Sequence, residues 1–499
     1  MDIEQFRKAG YQAIDRICDY YYSLHERPVV PQVDPGYLKR SVSSCAPENG
    51  EDFQTIADDY QRLILPGLTH WQHPSFFAYF PTACTFEGML ADLYSSSTCN
   101  PGFNWSASPA CTELEIIVMD WGAQLLGLSP TFLHSSGIGG GAIQSTASEA
   151  ALVVVTAARS RYQVKSPGIK AEDLVIYTTT QTHSLGLKAG LVLGLKVRAL
   201  EVRLEDEFSL RGEILRAALA DDEKLGRKPF ILIATIGTTS SGAIDNISEI
   251  IEVLKDYPSL WLHIDAAWAG CALSCPEYRG VCYLDEINAV ATSFCTNFHK
   301  WGLTNFDISA LWIRDRKLLT DVLDVTPPFL RTKYGDAGSV IDYRNWHLGL
   351  GRRFRSLKLW FVLRSFGAEG FRRYIRRTVG LNERFANLVR DSDMFNLVTN
   401  PSLALSVFRL NPTVTAAKLS PTELNNLNRA FYERISARYD ILLTQTVLDG
   451  VVCIRFAVGA YRTEEKHIDM AFMLLQEEGH VVIQEWKEGI HTELRPLIV

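Results

Sequence analysis

From about residue 80 to 370, short apolar runs alternate with stretches whose apolar positions recur at helical spacing. The runs fall at 173–177, 196–200, 230–236, 261–265, 289–295 and 308–313. Near-continuous apolar runs separated by amphipathic segments predict buried, mostly parallel strands with helices on both faces. The expected fold class is therefore α/β. Ligands in such sheets bind beyond the carboxyl ends of the strands. His183, Thr239, Asp265 and Lys300 each follow a predicted strand closely, so they are candidates for one crevice.

The ends of the chain read differently. Residues 3–24 predict an amphipathic helix, with Ile3, Phe6, Ala13, Ile14, Ile17 and Tyr21 at near-helical spacing. Its apolar stripe suits either a core face or a partner subunit. Residues 25–50 are rich in Pro, Ser and Gly and predict an extended connection. After Phe366 a helix is expected over 367–391, then short strands near 403–410 and 451–456 and a helix over 464–478. The expected division is an N-terminal helical segment (1–80), a large domain (81–370) and a small C-terminal α+β domain (371–499).

The chain of 499 residues is long enough for about three domain-sized units. Lys plus Arg is 50 and Asp plus Glu is 57, so the net charge is −7. That balance does not favour nucleic acid or an anionic membrane as partner. Ten cysteines are scattered with no CxxC pair, which fits free thiols in a reducing cytosol rather than a disulfide or zinc framework. No signal peptide is visible, and no run reaches the roughly 18 apolar residues of a membrane span. The expected location is the cytoplasm, and no metal is expected.

The chemistry centres on Thr296-Asn297-Phe298-His299-Lys300-Trp301, which ends one apolar run, and on Asp265, which ends another. A strand-end lysine is usually a solvated charge, but apolar surroundings lower its pKa and make it a nucleophile toward an aldehyde. A carboxylate in the same crevice keeps a pyridine nitrogen protonated. Together these are parts for holding pyridoxal phosphate. Gly137 to Gly141 leads through Gln144-Ser145-Thr146-Ala147-Ser148 into a strong helix. By itself the glycine run suits a turn with a serine cap. Upstream of Asp265 and Lys300, it suits a phosphate held by hydroxyls and helix amides. His183 alone would be an ordinary polar residue. In a cofactor crevice its imidazole can stack on the pyridine and move protons.

With these residues in hand, the chain resembles the group II pyridoxal-phosphate decarboxylases, and among them the aromatic L-amino acid decarboxylases. The resemblance covers nearly the whole length. It rests on His73-Pro74-Ser75-Phe76-Phe77-Ala78-Tyr79-Phe80-Pro81, on the block from Trp105 to Glu115, on Gln144 to Ala150, on His263-Ile264-Asp265-Ala266-Ala267-Trp268-Ala269-Gly270, on Asn297 to Trp301, and on Gly351-Arg352-Arg353-Phe354-Arg355-Ser356-Leu357-Lys358. It implies a fold-type I homodimer with active sites at the subunit interface. It also implies Lys300 as the cofactor lysine, Asp265 as the pyridinium partner and His183 stacked on the ring. Thr146, Ala147, Ser148 and Asn297 would hold the phosphate, Thr239 and Ala267 would line the cofactor, and His299 would lie near the substrate carboxylate. Trp71, Tyr79, Phe80, Pro81 and Thr82, with Phe103 from the partner subunit, would form an aromatic pocket. Gly351 would leave room in that pocket where some relatives carry serine. Phe298 departs from the smaller residue or proline of many relatives and is expected only to adjust the loop.

A second departure bears on the reaction. Ordinary members carry a tyrosine on a mobile loop 29 residues beyond the lysine, and here that position is Phe329. Family knowledge assigns this tyrosine the protonation of Cα after CO2 leaves. Phenylalanine has no proton to give, so the electron-rich carbon persists and O2 can attack it. The resemblance is then to the aromatic acetaldehyde synthases, which form an arylacetaldehyde, CO2, NH3 and H2O2 with O2 as co-substrate. The alternative is a plain decarboxylase, with water, His183 or Tyr334 as the acid and Phe329 merely packing a lid. The loop, about 320 to 345, is expected to close over the site. The preferred aromatic amino acid stays open.

Overall fold

The computed structural model describes residues 1–412 and 419–489. The expected C-terminal unit, 371–499, runs partly outside these. A seven-stranded sheet forms the centre, in the order β1-β7-β6-β5-β4-β2-β3. Its strands are β1 (Gly140–Gln144), β2 (Leu174–Thr179), β3 (Lys196–Leu200), β4 (Lys228–Thr235), β5 (Trp261–Asp265), β6 (Ser293–Thr296) and β7 (Ser309–Ile313). β2, β3, β4, β5 and β6 pair in parallel, and β7 runs antiparallel to both β6 and β1. β1 thus points the same way as the parallel set. The carboxyl ends of β1, β2, β4, β5 and β6 share one edge of the sheet. β1, β2, β5, β6 and β7 are buried along their whole length. Burial on both faces is the reason these strands read as continuous apolar runs.

Two differences from the sequence expectation have local causes. The expected strand at 289–295 is shorter, because Leu284–Val290 is helix and the strand begins only at Ser293. Apolar periodicity cannot separate a buried helix end from the strand that follows it. The glycine run, which by itself suits a turn, enters β1 at Gly140. Gly141 packs so closely that an added Cβ would lie 2.4 Å from Met119 Cε and 2.7 Å from Trp312 Cδ1.

A second, four-stranded sheet lies C-terminal to the first, in the order β10-β11-β9-β8. Its strands are β8 (Phe395–Leu397), β9 (Leu405–Leu410), β10 (Thr444–Leu448) and β11 (Val451–Ala457). Phe385 stacks on Phe456 at 3.7 Å between centroids, fastening this sheet to the helix before it. That helix spans Arg355–Arg390 and breaks at Gly367 (φ 60°, ψ 173°), where the expected 367–391 helix begins.

Helix α1 (Ile3–Tyr22) starts from Asp2, whose carboxylate accepts the Glu4 and Gln5 amides in a capping box. It buries no residue within this chain, and Ile3, Phe6, Ile14 and Ile17 stand exposed. The core-face expectation for its apolar stripe is therefore not met. The 25–50 connection includes a short helix, Tyr37–Ser41. All ten cysteines are free thiols. Among the described residues no helix is long and apolar enough to cross a membrane.

Candidate active site

A cavity of about 220 Å3 opens at the shared carboxyl edge of the large sheet. Each element end supplies one part of its wall. Past β1, Thr146 caps helix α2 (Ala147–Lys165), its hydroxyl accepting the Glu149 amide. Thr146, Ala147 and Ser148 face the cavity, so the free amides of the first helical turn point at a ready anion site. His183 comes from the loop after β2, and Thr235, Gly237 and Thr239 come from the end of β4 and the turn beyond. Asp265 ends β5, with Ala267 and Trp268 just after it. Asn297, His299 and Lys300 follow β6.

The geometry holds these groups in place. Thr235 and Asp265 are register partners across β4 and β5, and Asp265 pairs in turn with Cys295 on β6. Oδ1 of Asp265 accepts the Ala267 amide at 3.0 Å. Lys300 sits in a one-turn helix, α3 (Phe298–Trp301), rather than in the open loop expected for it. Trp301 anchors that turn by donating from Nε1 to Thr378 Oγ1 at 3.0 Å. Phe80, Trp268 and Trp301 form a stack, with centroids 4.3 Å and 5.2 Å apart. Lys300 Nζ lies 5.5 Å from the Phe80 ring centre. At Gly237 (φ +84°) a Cβ would meet Ala269 at 2.7 Å and Trp268 at 2.9 Å, so only glycine lets β4 turn under the stack.

The electrostatics follow from burial. Burial pushes the Lys300 ammonium below its ordinary value, and Asp265 opposes that shift. Burial raises the Asp265 carboxyl, and Lys300 opposes that one. Each group is thus the other's counter-charge. His183 is lowered by burial and then by Lys300. His299 is pushed down to about 4, chiefly by burial, and is neutral at physiological pH. Its Nδ1 accepts the Ile308 amide at 2.9 Å, so its proton sits on Nε2.

The wall suits pyridoxal phosphate. Thr235 Oγ1 and Asn297 Oδ1 are buried without a hydrogen-bond partner. A buried polar atom without a partner is costly unless a ligand satisfies it. An amine, a carboxylate, an imidazole and an anion-binding helix end surround one small cavity, which matches the group's aldehyde, pyridine nitrogen, ring face and phosphate.

Of the residues singled out in the sequence, Phe80, Thr146, Ala147, Ser148, His183, Thr239, Asp265, Ala267, Asn297, His299 and Lys300 all line this cavity. Trp71, Tyr79, Pro81, Thr82, Phe103, Gly351 and Phe329 do not. Trp71 and Tyr79 stack on each other at 5.5 Å instead. The Thr82 carbonyl accepts from Gln72, and the Phe103 carbonyl accepts the Arg344 amide. Gly351 is exposed, and an added Cβ there would meet nothing within 4 Å. Phe329 is 79% exposed on the turn Pro328–Leu330. Sequence reasoning missed Leu185, Thr235, Gly237 and Trp268 in the wall. Trp268 lay within a quoted block, and Thr235 lay next to the end of the strand expected at 230–236. It also missed Arg455 on β11, whose guanidinium lies 5.0 Å from the Phe80 ring centre. No local pattern marks Arg455, because it arrives from the other sheet.

Known proteins agree with this geometry. Residues 35–411 match the pyridoxal-dependent decarboxylase conserved domain. The chain is 42% identical to tryptophan decarboxylase 2 of Oryza sativa subsp. japonica, over 97% of this chain and 96% of that one. It is also 42% identical to phenylacetaldehyde synthase of Arabidopsis thaliana, over 97% and 98%. The crystal structure of Oryza sativa TDC with PLP and tryptamine superposes with a TM-score of 0.92 at 35% identity, covering 96% of this chain and 99% of that one. The match spans every strand of the large sheet and every wall of the cavity, and the chain belongs to the pyridoxal-phosphate-dependent aromatic amino acid decarboxylase family.

Proposed function

We propose that the protein is an aromatic aldehyde synthase. It converts an aromatic L-amino acid, O2 and water into an arylacetaldehyde, CO2, NH3 and H2O2. The observation that carries this proposal is Phe329, a side chain without an acidic proton at the loop position where the resemblance expects a tyrosine. Tyr334, the nearest phenol on that loop, packs edge-on against Trp105 at 4.9 Å.

Bound pyridoxal phosphate supplies an electron sink that makes the bonds at the substrate Cα breakable. The chain's own residues do the rest. Lys300, with its pKa lowered by burial, presents an amine for the aldehyde. Asp265 would hold the pyridine nitrogen in its protonated form, and His183 would cover the ring face. Thr146, Ala147, Ser148 and Asn297 would hold the phosphate. His299 offers its Nε2 proton to the substrate carboxylate, while Phe80 and Trp268 give a flat wall for the aromatic ring. Phe329 brings an apolar side chain to the closed site and no proton for Cα. Removing a positioned acid slows a protonation by about 10²–10⁴-fold, enough for O2 to compete.

The same proposal takes the enzyme as a cytoplasmic homodimer, with Phe103 and the 320–345 loop reaching the neighbouring site. The exposed apolar stripe of α1 supports it. A plain amine-forming decarboxylase is the second possibility, and tryptophan decarboxylase 2, as similar as phenylacetaldehyde synthase, favours it equally. The deciding experiment measures oxygen uptake during turnover of each aromatic amino acid, with aldehyde, amine and peroxide quantified together. Matched oxygen, aldehyde and peroxide are expected. Amine without oxygen uptake overturns the proposal.

A further inference from the structure

Among the described residues strand β1 has a neighbour strand on one side only, β7. In an antiparallel pair alternate residues turn their amides and carbonyls away from the partner strand. On β1 these are Gly141 and Ile143. Side chains satisfy all four of their outward groups. His134 Nε2 lies 2.9 Å from the Gly141 amide and 2.7 Å from the Gly141 carbonyl, and Tyr343 Oη donates to that carbonyl at 3.2 Å. The Ile143 amide donates to Glu115 Oε1 at 2.8 Å, and Arg352 Nη2 donates to the Ile143 carbonyl at 3.0 Å. Arg352 also grips Glu115 with both nitrogens, at 2.8 and 2.5 Å, in a buried ion pair. Its guanidinium lies 4.6 Å from the Tyr343 ring centre. Gln144 Nε2 adds a bond to the Trp346 carbonyl at 2.7 Å.

Open strand edges are ordinarily covered by another strand, a helix or charge. Here His134 and Glu115 cover the two amides, and Tyr343 and Arg352 cover the two carbonyls from residues 343–352, a stretch that begins at the end of the loop bearing Phe329. β1 in turn runs through Ser145 into Thr146, Ala147 and Ser148 at the cavity wall. Arg344, in the same stretch, reaches back to the loop's other end, donating to the Val325 carbonyl and Thr326 Oγ1, each at 2.9 Å.

We propose that Tyr343, Trp346 and Arg352 act as a surrogate strand on the open edge of β1, coupling the 324–342 loop to the cofactor phosphate. They are positioning residues. An anion fixed at 146–148 holds β1 and its side-chain edge in register and thereby quiets the loop, and loop motion loosens the anion by the same factor. This rests on the proposal that 146–148 holds the phosphate.

The test needs no turnover. Trypsin cleavage at the exposed Arg331 and Lys333 is followed by fragment mass in cofactor-free protein, with and without inorganic phosphate. The wild type is compared with Tyr343→Phe and Gln144→Met, both of which keep the Arg352–Glu115 pair. Phosphate is expected to slow wild-type cleavage about fivefold or more, the lower end of ordinary coupling, and both variants should lose most of that protection. Pyridoxal phosphate should also leave the loaded variants faster, as read by fluorescence of the released cofactor. A wild-type cleavage rate indifferent to phosphate, or full protection in both variants, overturns the coupling. Competition between inorganic phosphate and pyridoxal phosphate is read separately. Its absence would sink the assignment of 146–148 as the phosphate site, not the coupling alone.

Discussion

The Ile308 amide donates to Nδ1 of His299 over 2.9 Å, and that one bond decides which ring nitrogen carries the proton. With Nδ1 committed as an acceptor, Nε2 carries the proton and serves only as a donor. A donor of this kind suits a carboxylate and not a general base.

His299→Gln, which can place an amide N–H near the same spot, is expected to retain more activity than His299→Phe. The Phe variant should lose about 10–100-fold in kcat/KM, the loss expected when a charge-assisted hydrogen bond worth about 1.5–3 kcal/mol is removed. Steady-state kinetics on the two variants check this. Equal losses would mean that Nε2 does not donate to substrate.

Phe329→Tyr should return the missing acid to the loop. The protonation step is expected to gain about 10²–10⁴-fold, roughly 3–5 kcal/mol, making amine the main product and suppressing oxygen uptake. A variant that still yields only aldehyde would show that the product is decided elsewhere.

Lys300→Ala removes the amine set into the wall between Asp265 and Phe80. Turnover should fall by about 10²–10⁴-fold or more, and the visible absorbance of the bound cofactor should be lost or displaced. Near-normal turnover would end the assignment of Lys300.

Gly237→Ala forces a Cβ into Ala269 and Trp268 at a backbone angle that favours glycine. A stability loss of about 1–3 kcal/mol is expected, with faster release of cofactor because Trp268 lines the site. Thermal denaturation and cofactor retention measure the two effects, and an unchanged melting temperature would contradict the packing argument.

Burial lowers His73 and His299 to about 4, and His263 and His347 to about 3. Each is held neutral in the folded chain and gains a proton more readily when unfolded. Their stabilisation is complete above about pH 6.5 and is lost as pH falls toward 4. Asp245, raised to about 6 by burial, and Asp265, also raised, work in the opposite direction, but they are two carboxyls against these four imidazoles and the likewise lowered His183. Calorimetry from pH 7.5 to 5 should show a falling melting temperature. A flat or rising curve would mean that these imidazoles are hydrated in solution.

Much of the site was legible in the sequence because each strand of the parallel set delivers its chemistry within a few residues of its own end. Asp265 closes an apolar run, and Lys300 lies five residues after Cys295, where the next run stops. Buried parallel strands must be continuously apolar, so a polar residue at such an end stands out. The sequence by itself therefore determined the α/β class and the meeting of Asp265 and Lys300 in one crevice. Only the tertiary structure decided that Gly140–Gln144 is an edge strand, since glycines carry no apolar pattern and β1 depends on side chains far along the chain to complete its hydrogen bonds. Tertiary structure alone also brought Arg455 to within 5.0 Å of the Phe80 ring centre from a separate sheet, and set the proton of His299 through Ile308. Local pattern records what a residue needs for its own element. Contacts between elements distant in sequence are set by how the layers pack, and no single segment encodes them.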